Sequence, residues 1–530
     1  FYNPPVVNKE LGIRASYLKS AVRLASDLIR AKVPTLVFGQ SRNSVELMLK
    51  YLRDKLGSEV PEGSLMAYRG GYLPEQRRSI ERGLRAGQIL GVVATNALEL
   101  GIDIGDLSAV VCAGYPGTVA GLWQRFGRAG RRGELSVALL VGRSAPLDQF
   151  LARDPDFLLS SGAEEARIDP GNVEILIQHL KCAAFEVPFV CKPANENADG
   201  GERYGALDEQ STRDALGFLS THGVVHESAG RFHWAADAYP ANHVSLRSIG
   251  WDNFVIVDLA HGKTIAELDW RSTHTMLHEQ AIYQHDAEQY QVERLDFENH
   301  KAYVRKVVPD YYTDAMTYRW VNVIEEESTR MLGRCQASWG EISVIEKVVG
   351  YKRIKFHTHE NVGYGDVRLP DMQMHTTSFW LTVPDDFVHD TGLGRAAVID
   401  ALRGVSRALE SVATLALMCE PSDVGQTLGD KSPEDPMPER APQAPRAGFD
   451  PTIFLFDHVP GGVGIAERIF ERVEEILERA RTLITGCDCE DGCPACVGPV
   501  EESGGKRRQI ATAVLEQILR ERKQTFCDGA

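Results

Sequence analysis

QRFGRAGRRG, residues 124–133, sets Arg125, Arg128, Arg131 and Arg132 among Gly127, Gly130 and Gly133. Almost nothing in it can fill a core. Arginine carries a planar, permanently charged fork that matches phosphate oxygens. Arg125, Arg128 and Arg131 are three apart, so on a helix they lie along one face. A solvated charged helix would account for the arginines but not for Gly127 and Gly130, which a stable surface helix avoids. Glycine there lets a backbone or a phosphate come close.

The 530-residue chain has a formal net charge of -16, which by itself argues against nucleic acid. Its distribution reverses that argument. Residues 1–145 carry 20 Lys+Arg against 12 Asp+Glu, whereas residues 146–530 carry 38 against 62. A basic first domain can bind a polyanion while the acidic remainder keeps the chain in solution. No run of about 18 apolar residues occurs and no signal-peptide pattern opens the sequence, so no membrane and a cytoplasmic, nucleoid-associated location are expected. The chain starts at Phe1 and is read as part of a longer protein.

Around the arginine segment, residues 1–148 alternate short apolar runs with amphipathic stretches. "TLVFG" (35–39), "SLMAY" (64–68), "ILGVVAT" (89–95), "AVVCAG" (109–114) and "VALLVG" (137–142) are separated by "NSVELMLKYLRDKL" (43–56) and "PEQRRSIERGLRAG" (74–87). That pattern predicts a parallel α/β sheet covered on both faces, with ligands beyond the carboxyl ends of its strands. Residues 149–245 read as a helical, winged-helix region, because 211–234 give a helix, a glycine stop and two short strands. Residues 246–530 read as a mixed α+β domain. It has a β-rich part at 250–385, expected as a small barrel or curled sheet, and a long helix over 393–417. A Pro-rich loop at 425–449 and a strand at 452–457 follow, then a helix over 465–484 and a last helix over 509–523.

"QRFGRAGR" resembles motif VI of the superfamily-2 helicases, and "VVATNALELGIDIG" (92–105) resembles their motif V. "TLVFGQSR" (35–42) is similar to motif IV, and "YRGGYLPEQRR" (68–78) to the strand-end motif that follows it. Four motifs in this order resemble the second RecA-like motor domain. The resemblance implies arginine fingers at Arg128 and Arg131, reaching the γ-phosphate of ATP. It implies nucleotide-facing positions at Gln124, Gly101 and Asp103. Contacts to a single-stranded DNA backbone are implied at Ser41, Arg42, Arg69, Gly70 and Thr95. Ser41 and Thr95 also suit a purely local capping role. No G-x-x-x-x-G-K-[ST] loop and no DEAH-like box occurs in the sequence. ATP and Mg²⁺ are therefore expected on an N-terminal RecA-like domain of the same protein, and this chain alone is expected to be inactive.

Residues 281–313, "FDHVPGGVGIAERIF" (456–470) and "CDCEDGCPACVGP" (487–499) resemble the MrfA-type DNA-repair helicases and their fungal RecQ4-like relatives, with a C-terminal zinc-binding domain. That resemblance implies a monomeric, ATP-dependent 3′–5′ helicase acting in DNA repair on single-stranded DNA or a 3′-tailed duplex. Two alternatives stand beside it: a non-catalytic zinc-containing nucleic-acid binder, and an RNA helicase of the same superfamily. Cys487, Cys489, Cys493 and Cys496 give C-x-C-x₃-C-x₂-C, a closed thiolate set that suits structural Zn²⁺; an iron–sulfur cluster or a redox C-x-x-C are the rivals. His357 and His359 could be ligands on one strand face, although a hydrogen-bonded pair is the simpler reading. Tyr311, Tyr312, Tyr318 and Trp320 could stack bases, although packing is the commoner use of aromatics.

Overall fold

The structure is a computed structural model that describes every residue except 10, 101–106, 131–134, 161, 165–171, 191–201, 206, 245–252, 430–449, 499–505 and 528–530, and leaves out the side chains of 243 and 522–527. Its first layer is the expected parallel sheet. The strands are β1 (Thr35–Phe38), β2 (Leu65–Tyr68), β3 (Gly91–Ala94), β4 (Ala109–Ala113) and β5 (Val137–Val141), in the order β2-β3-β1-β4-β5. The β1, β3 and β4 residues are all buried, which is why these strands read as unbroken apolar runs. Helices α1 (Tyr17–Arg30), α2 (Arg42–Leu56), α3 (Pro74–Arg85) and α4 (Val119–Phe126) cover the sheet. From β1 the chain runs outward to β2 and β3 on one side, then crosses to β4 and β5 on the other. The switch point therefore lies at the carboxyl end of β1, where Gly39–Ser41 begin α2.

After α5 (Pro146–Arg153), helix α6 (Val173–Glu186), strand β6 (Phe189–Val190), helix α7 (Glu209–Thr221) and strands β7 (Val225–Ser228) and β8 (Arg231–Trp234) form a winged helix. Its antiparallel sheet runs β6-β8-β7 over a core of Leu180, Leu216, Leu219, Val225 and Phe232. The wing turns at Ala229 and Gly230, both left-handed.

The β-rich part is not a closed barrel but two sheets. The first orders β9 (Phe254–Asp258), β10 (Lys263–Leu268), β11 (Ile282–His285), β12 (Glu288–Asp296) and β13 (Lys301–Val307) as β10-β9-β13-β12-β11. Helix α8 (Trp270–Met276) joins β10 to β11. The second is built on a hairpin of β14 (Tyr311–Leu332) and β15 (Cys335–Lys355), extended by β16 (Asn361–Asp366), β17 (Met372–Thr382), β18 (Val424–Gly429) and β19 (Thr452–Asp457). Strands this long exceed the usual length several-fold. Neither β14 nor β15 contains a proline, and three bulges bend the ladder without ending it, so the two strands run on as one hairpin. The Pro-rich reading is corrected at its start: 424–429 form β18 against β19, and 430–449 lie outside the described residues.

Helices α9 (Arg395–Leu417), α10 (Ile465–Glu471), α11 (Val473–Thr485) and α12 (Arg507–Cys527) pack into one apolar cluster with the cysteine loop. The single helix expected over 465–484 is broken at Arg472, whose guanidinium donates to the Ala416 carbonyl (2.6 Å) and pairs with Glu475. Among the described residues no helix is long and apolar enough to cross a membrane.

Candidate nucleic-acid cleft and metal centre

A cleft of about 1150 Å³ opens at the carboxyl ends of β1, β2 and β3. Ser41, Arg42, Gly70 and Thr95 line its floor, and Ser272, Thr275, Tyr283, Gln284, Thr313 and Asp314 form the opposite wall. Ser41 caps α2, its hydroxyl accepting from the Ser44 amide at 3.1 Å. Thr95 caps the short turn Asn96–Leu98. Capping and facing the cleft are thus the same placement, since an α-helix N-terminus offers unsatisfied N–H groups to an anion. The wall was not legible in the sequence, because residues some 180 to 270 positions further along the chain supply it and no local pattern marks them.

Arg42 pairs with Asp269 at 2.7 Å, and both side chains stay partly exposed. Burial pushes the Asp269 carboxyl up, but the Ser272 amide and Arg42 more than reverse that and hold it below the usual carboxylate range. Arg69 is placed differently from the expectation. It is fully buried, and it pairs with the equally buried Glu46 at 2.7 Å. It also donates to the Tyr283 hydroxyl and the Gln284 carbonyl, each at 3.0 Å. A guanidinium so enclosed cannot reach a phosphate, so Arg69 holds the wall to the floor and only Gly70 beside it faces the cleft.

In motif VI, Arg125 is buried, pairs with Glu99 (2.8 Å) and lies over the Phe38 ring. Arg128, also buried, donates from Nε and Nη2 to the Glu99 carbonyl at 3.0 and 2.7 Å. Gln124 is exposed on α4. Gly101, Asp103 and Arg131 lie outside the described residues. His357 and His359 sit in a turn with left-handed backbone rather than on a strand face, which removes the i, i+2 ligand geometry. Tyr312 packs on Phe356, and Tyr318 on Trp320.

The four cysteines of the C-terminal loop converge, with all four Sγ atoms within 4.8 Å of one another. The Cys487–Cys493, Cys489–Cys496 and Cys493–Cys496 separations are 3.5, 3.6 and 3.7 Å. A tetrahedron with Zn–S bonds of about 2.3 Å has edges of about 3.8 Å, so this donor set fits one zinc ion. Among the described residues no other group of this kind occurs. Gly492, at φ +126°, makes the turn; a Cβ there would stand 2.6 Å from the Val497 side chain. Arg508 closes the loop from α12, donating to the carbonyls of Ile484, Thr485 and Cys489 at 2.9, 2.8 and 2.6 Å.

Three families match in chain order. Residues 19–133 match the helicase conserved C-terminal domain, 168–249 the winged helix domain of ATP-dependent helicase HRQ1, and 405–497 the MrfA Zn-binding domain. The chain is 42% identical to ATP-dependent helicase YprA of Bacillus subtilis, over 98% of this chain and 66% of that protein. It is 28% identical to ATP-dependent helicase HRQ1 of Saccharomyces cerevisiae, over 99% of this chain and 49% of that protein. The crystal structure of the DUF1998 helicase MrfA bound to DNA superimposes with a TM-score of 0.70 at 41% identity, over 98% of this chain and 66% of that one. The same helicase bound to DNA and AMPPNP gives 0.65 at 39%, over 99% and 64%. The chain thus spans about two-thirds of its bacterial relatives and half of the yeast one. With a RecA-like helicase domain, a winged helix and a zinc-binding domain in that order, it belongs to the MrfA/HRQ1-like superfamily-2 helicases.

Proposed function

We propose that this chain is the second motor lobe and the accessory domains of an ATP-dependent 3′–5′ DNA helicase that acts in DNA repair. One observation carries the reading: Ser41, Arg42, Gly70 and Thr95, from three separate motifs, converge on a single cleft at the switch point of the sheet. Ser41 and Thr95 present hydroxyls, α2 its N-terminal amides and Arg42 its guanidinium. Such groups hold phosphates and read no base. The DNA-bound MrfA relative supports DNA over RNA as the substrate, and this reading takes that DNA to be single-stranded or 3′-tailed.

The reading assigns the triphosphate and Mg²⁺ to a first RecA-like lobe outside these 530 residues, and it treats the working enzyme as a monomer. Bound between the lobes, ATP supplies the free energy of γ-phosphate release. Arg128 and Arg131 would face that phosphate from this side, with Gln124, Gly101 and Asp103 at the nucleotide edge. Arg128 fits the role, because its bonds to the Glu99 carbonyl are of a kind a phosphate oxygen can replace. The four cysteines would hold one Zn²⁺ in a closed shell, giving structure and no hydrolysis.

The test compares this chain with the full-length enzyme. DNA-stimulated ATPase and unwinding of a 3′-tailed duplex are expected of the full-length protein only. Arg128→Ala should lower its turnover by about 10³-fold, as loss of an arginine finger does, and leave DNA binding intact. Robust ATP hydrolysis by the 530-residue chain, or preference for a 5′ tail, would overturn the proposal.

A further inference from the structure

The cleft does not end at its wall. Helix α8 presents Ser272 and Thr275, three apart on one face, and both residues also line a second, smaller groove of about 270 Å³. Thr317, Arg319, Arg271 and His458 line that groove further out. Strand β14 runs beneath both spaces. Thr313, Asp314 and Ala315 line the cleft and Thr317 and Arg319 the groove; of these Thr313, Ala315, Thr317 and Arg319 are alternate residues and share one strand face. The bulge between Met316 and Thr317 leaves this alternation intact, because the extra residue, Val349, is on β15. Thr313 to Arg319 therefore form one continuous rail about 20 Å long.

Hydroxyls come from α8 on one side and β14 on the other, and the far end is cationic. Glu346 pairs with Arg319 and lies 3.9 Å from Arg271, so two guanidinium groups share one carboxylate. Beyond that, among the described residues Arg271 makes only a weak 3.5 Å contact to the Met374 sulfur, and its side chain is 38% exposed. Burial, then Arg271 itself, holds His458 below the usual histidine range, so its ring adds surface rather than charge.

We propose that single-stranded DNA leaving the motor cleft continues along this rail, its phosphates passing Thr317 and ending on Arg271 and Arg319. The inference rests on the cleft being a backbone site, and it adds an exit track on the accessory domain. It gives α8 a part in the enzyme: Asp269 at its N-terminus meets Arg42 in the cleft, and Arg271 two residues on meets the strand as it exits.

Fluorescence anisotropy with oligothymidylates of two lengths tests it on the 530-residue chain. The variants are Arg271→Glu, at a partly exposed position, and Thr317→Glu, at an exposed one. An oligomer of about six nucleotides, enough to occupy the cleft alone, should bind both variants as it binds the unmodified chain. One of about twenty nucleotides should lose roughly fivefold or more, with the salt slope lower by about 0.7 per phosphate contact removed. Arg42→Ala should weaken both lengths. Unchanged binding of the long oligomer to both groove variants, with Arg42→Ala still weakening it, overturns the exit track and leaves the cleft standing. Loss in the groove variants with none in Arg42→Ala overturns the continuity between the two, and the cleft reading with it.

Discussion

Arg42 and Arg69 belong to the same sequence reading, and burial separates them. Arg42 keeps part of its side chain in solvent and, among the described residues, pairs with the Asp269 carboxylate, which a phosphate can displace. Arg69 has no exposed atom and engages its whole fork inside the protein. Arg42→Ala is expected to weaken single-stranded DNA binding alike for all sequences and to flatten the salt dependence; a loss confined to one sequence would contradict a backbone contact. Asp269→Asn gives the opposite expectation. Asparagine caps a helix about as well as aspartate, so α8 should hold. With its carboxylate competitor gone, Arg42 should bind DNA a few-fold more tightly at low salt, the effect fading as salt screens it. Weaker binding in that variant would instead make Asp269 the residue that aims Arg42.

At the scale of elements, legibility followed locality. The parallel sheet, the winged helix, α9 and the cysteine loop were readable because their signals are local: apolar runs, a glycine stop, an unbroken helical stretch, a four-cysteine spacing. The two β sheets were not, because β14 and β15 pair over some twenty residues and β19 joins that sheet by pairing with β17 from 70 to 78 positions away. The cysteine loop was legible as a ligand set, but its closure was not. Three backbone carbonyls from two segments meet on Arg508, and nothing in its own neighbourhood announces that. Close to one zinc per chain and no visible absorbance are expected on elemental analysis; iron with sulfide would contradict the assignment. Arg508→Ala should release zinc to a chelator markedly faster than the unmodified chain while leaving the four ligands in place, because outer partners typically govern metal affinity by about 10–100-fold. Equal release rates would show that the thiolates hold their geometry unaided.

Across the whole molecule, the motor lobe and the first β sheet are joined by a buried polar network rather than by apolar contact alone. Glu46 accepts from Arg69, from the Tyr72 hydroxyl (2.9 Å) and from the Ala287 amide (3.0 Å). Arg53 reaches Asp286 through a carboxylate oxygen and the backbone carbonyl. His285 lies against the Tyr72 ring at 4.7 Å, inside the same contact. Such a network fixes the cleft wall relative to its floor. It also gives the junction a pH dependence. Burial pushes the His285 imidazole down to about 4, with Glu46 and Glu288 opposing and Arg69 assisting. His274 and His278 are pushed down by burial as well. A histidine held neutral in the folded state takes up its proton on unfolding, so these groups stabilise the fold above the ordinary histidine range. That stability is lost as pH falls from about 6.5 toward 4. Between pH 7.5 and 5, His285 alone should account for roughly 2 kcal/mol, at about 1.4 kcal/mol per pH unit below its unfolded value. Thermal unfolding followed over that range should show the melting temperature dropping steeply in the unmodified chain and less steeply in His285→Gln, which keeps a polar side chain but has no proton to gain. Parallel slopes for the two proteins would place the acid sensitivity elsewhere than at this junction.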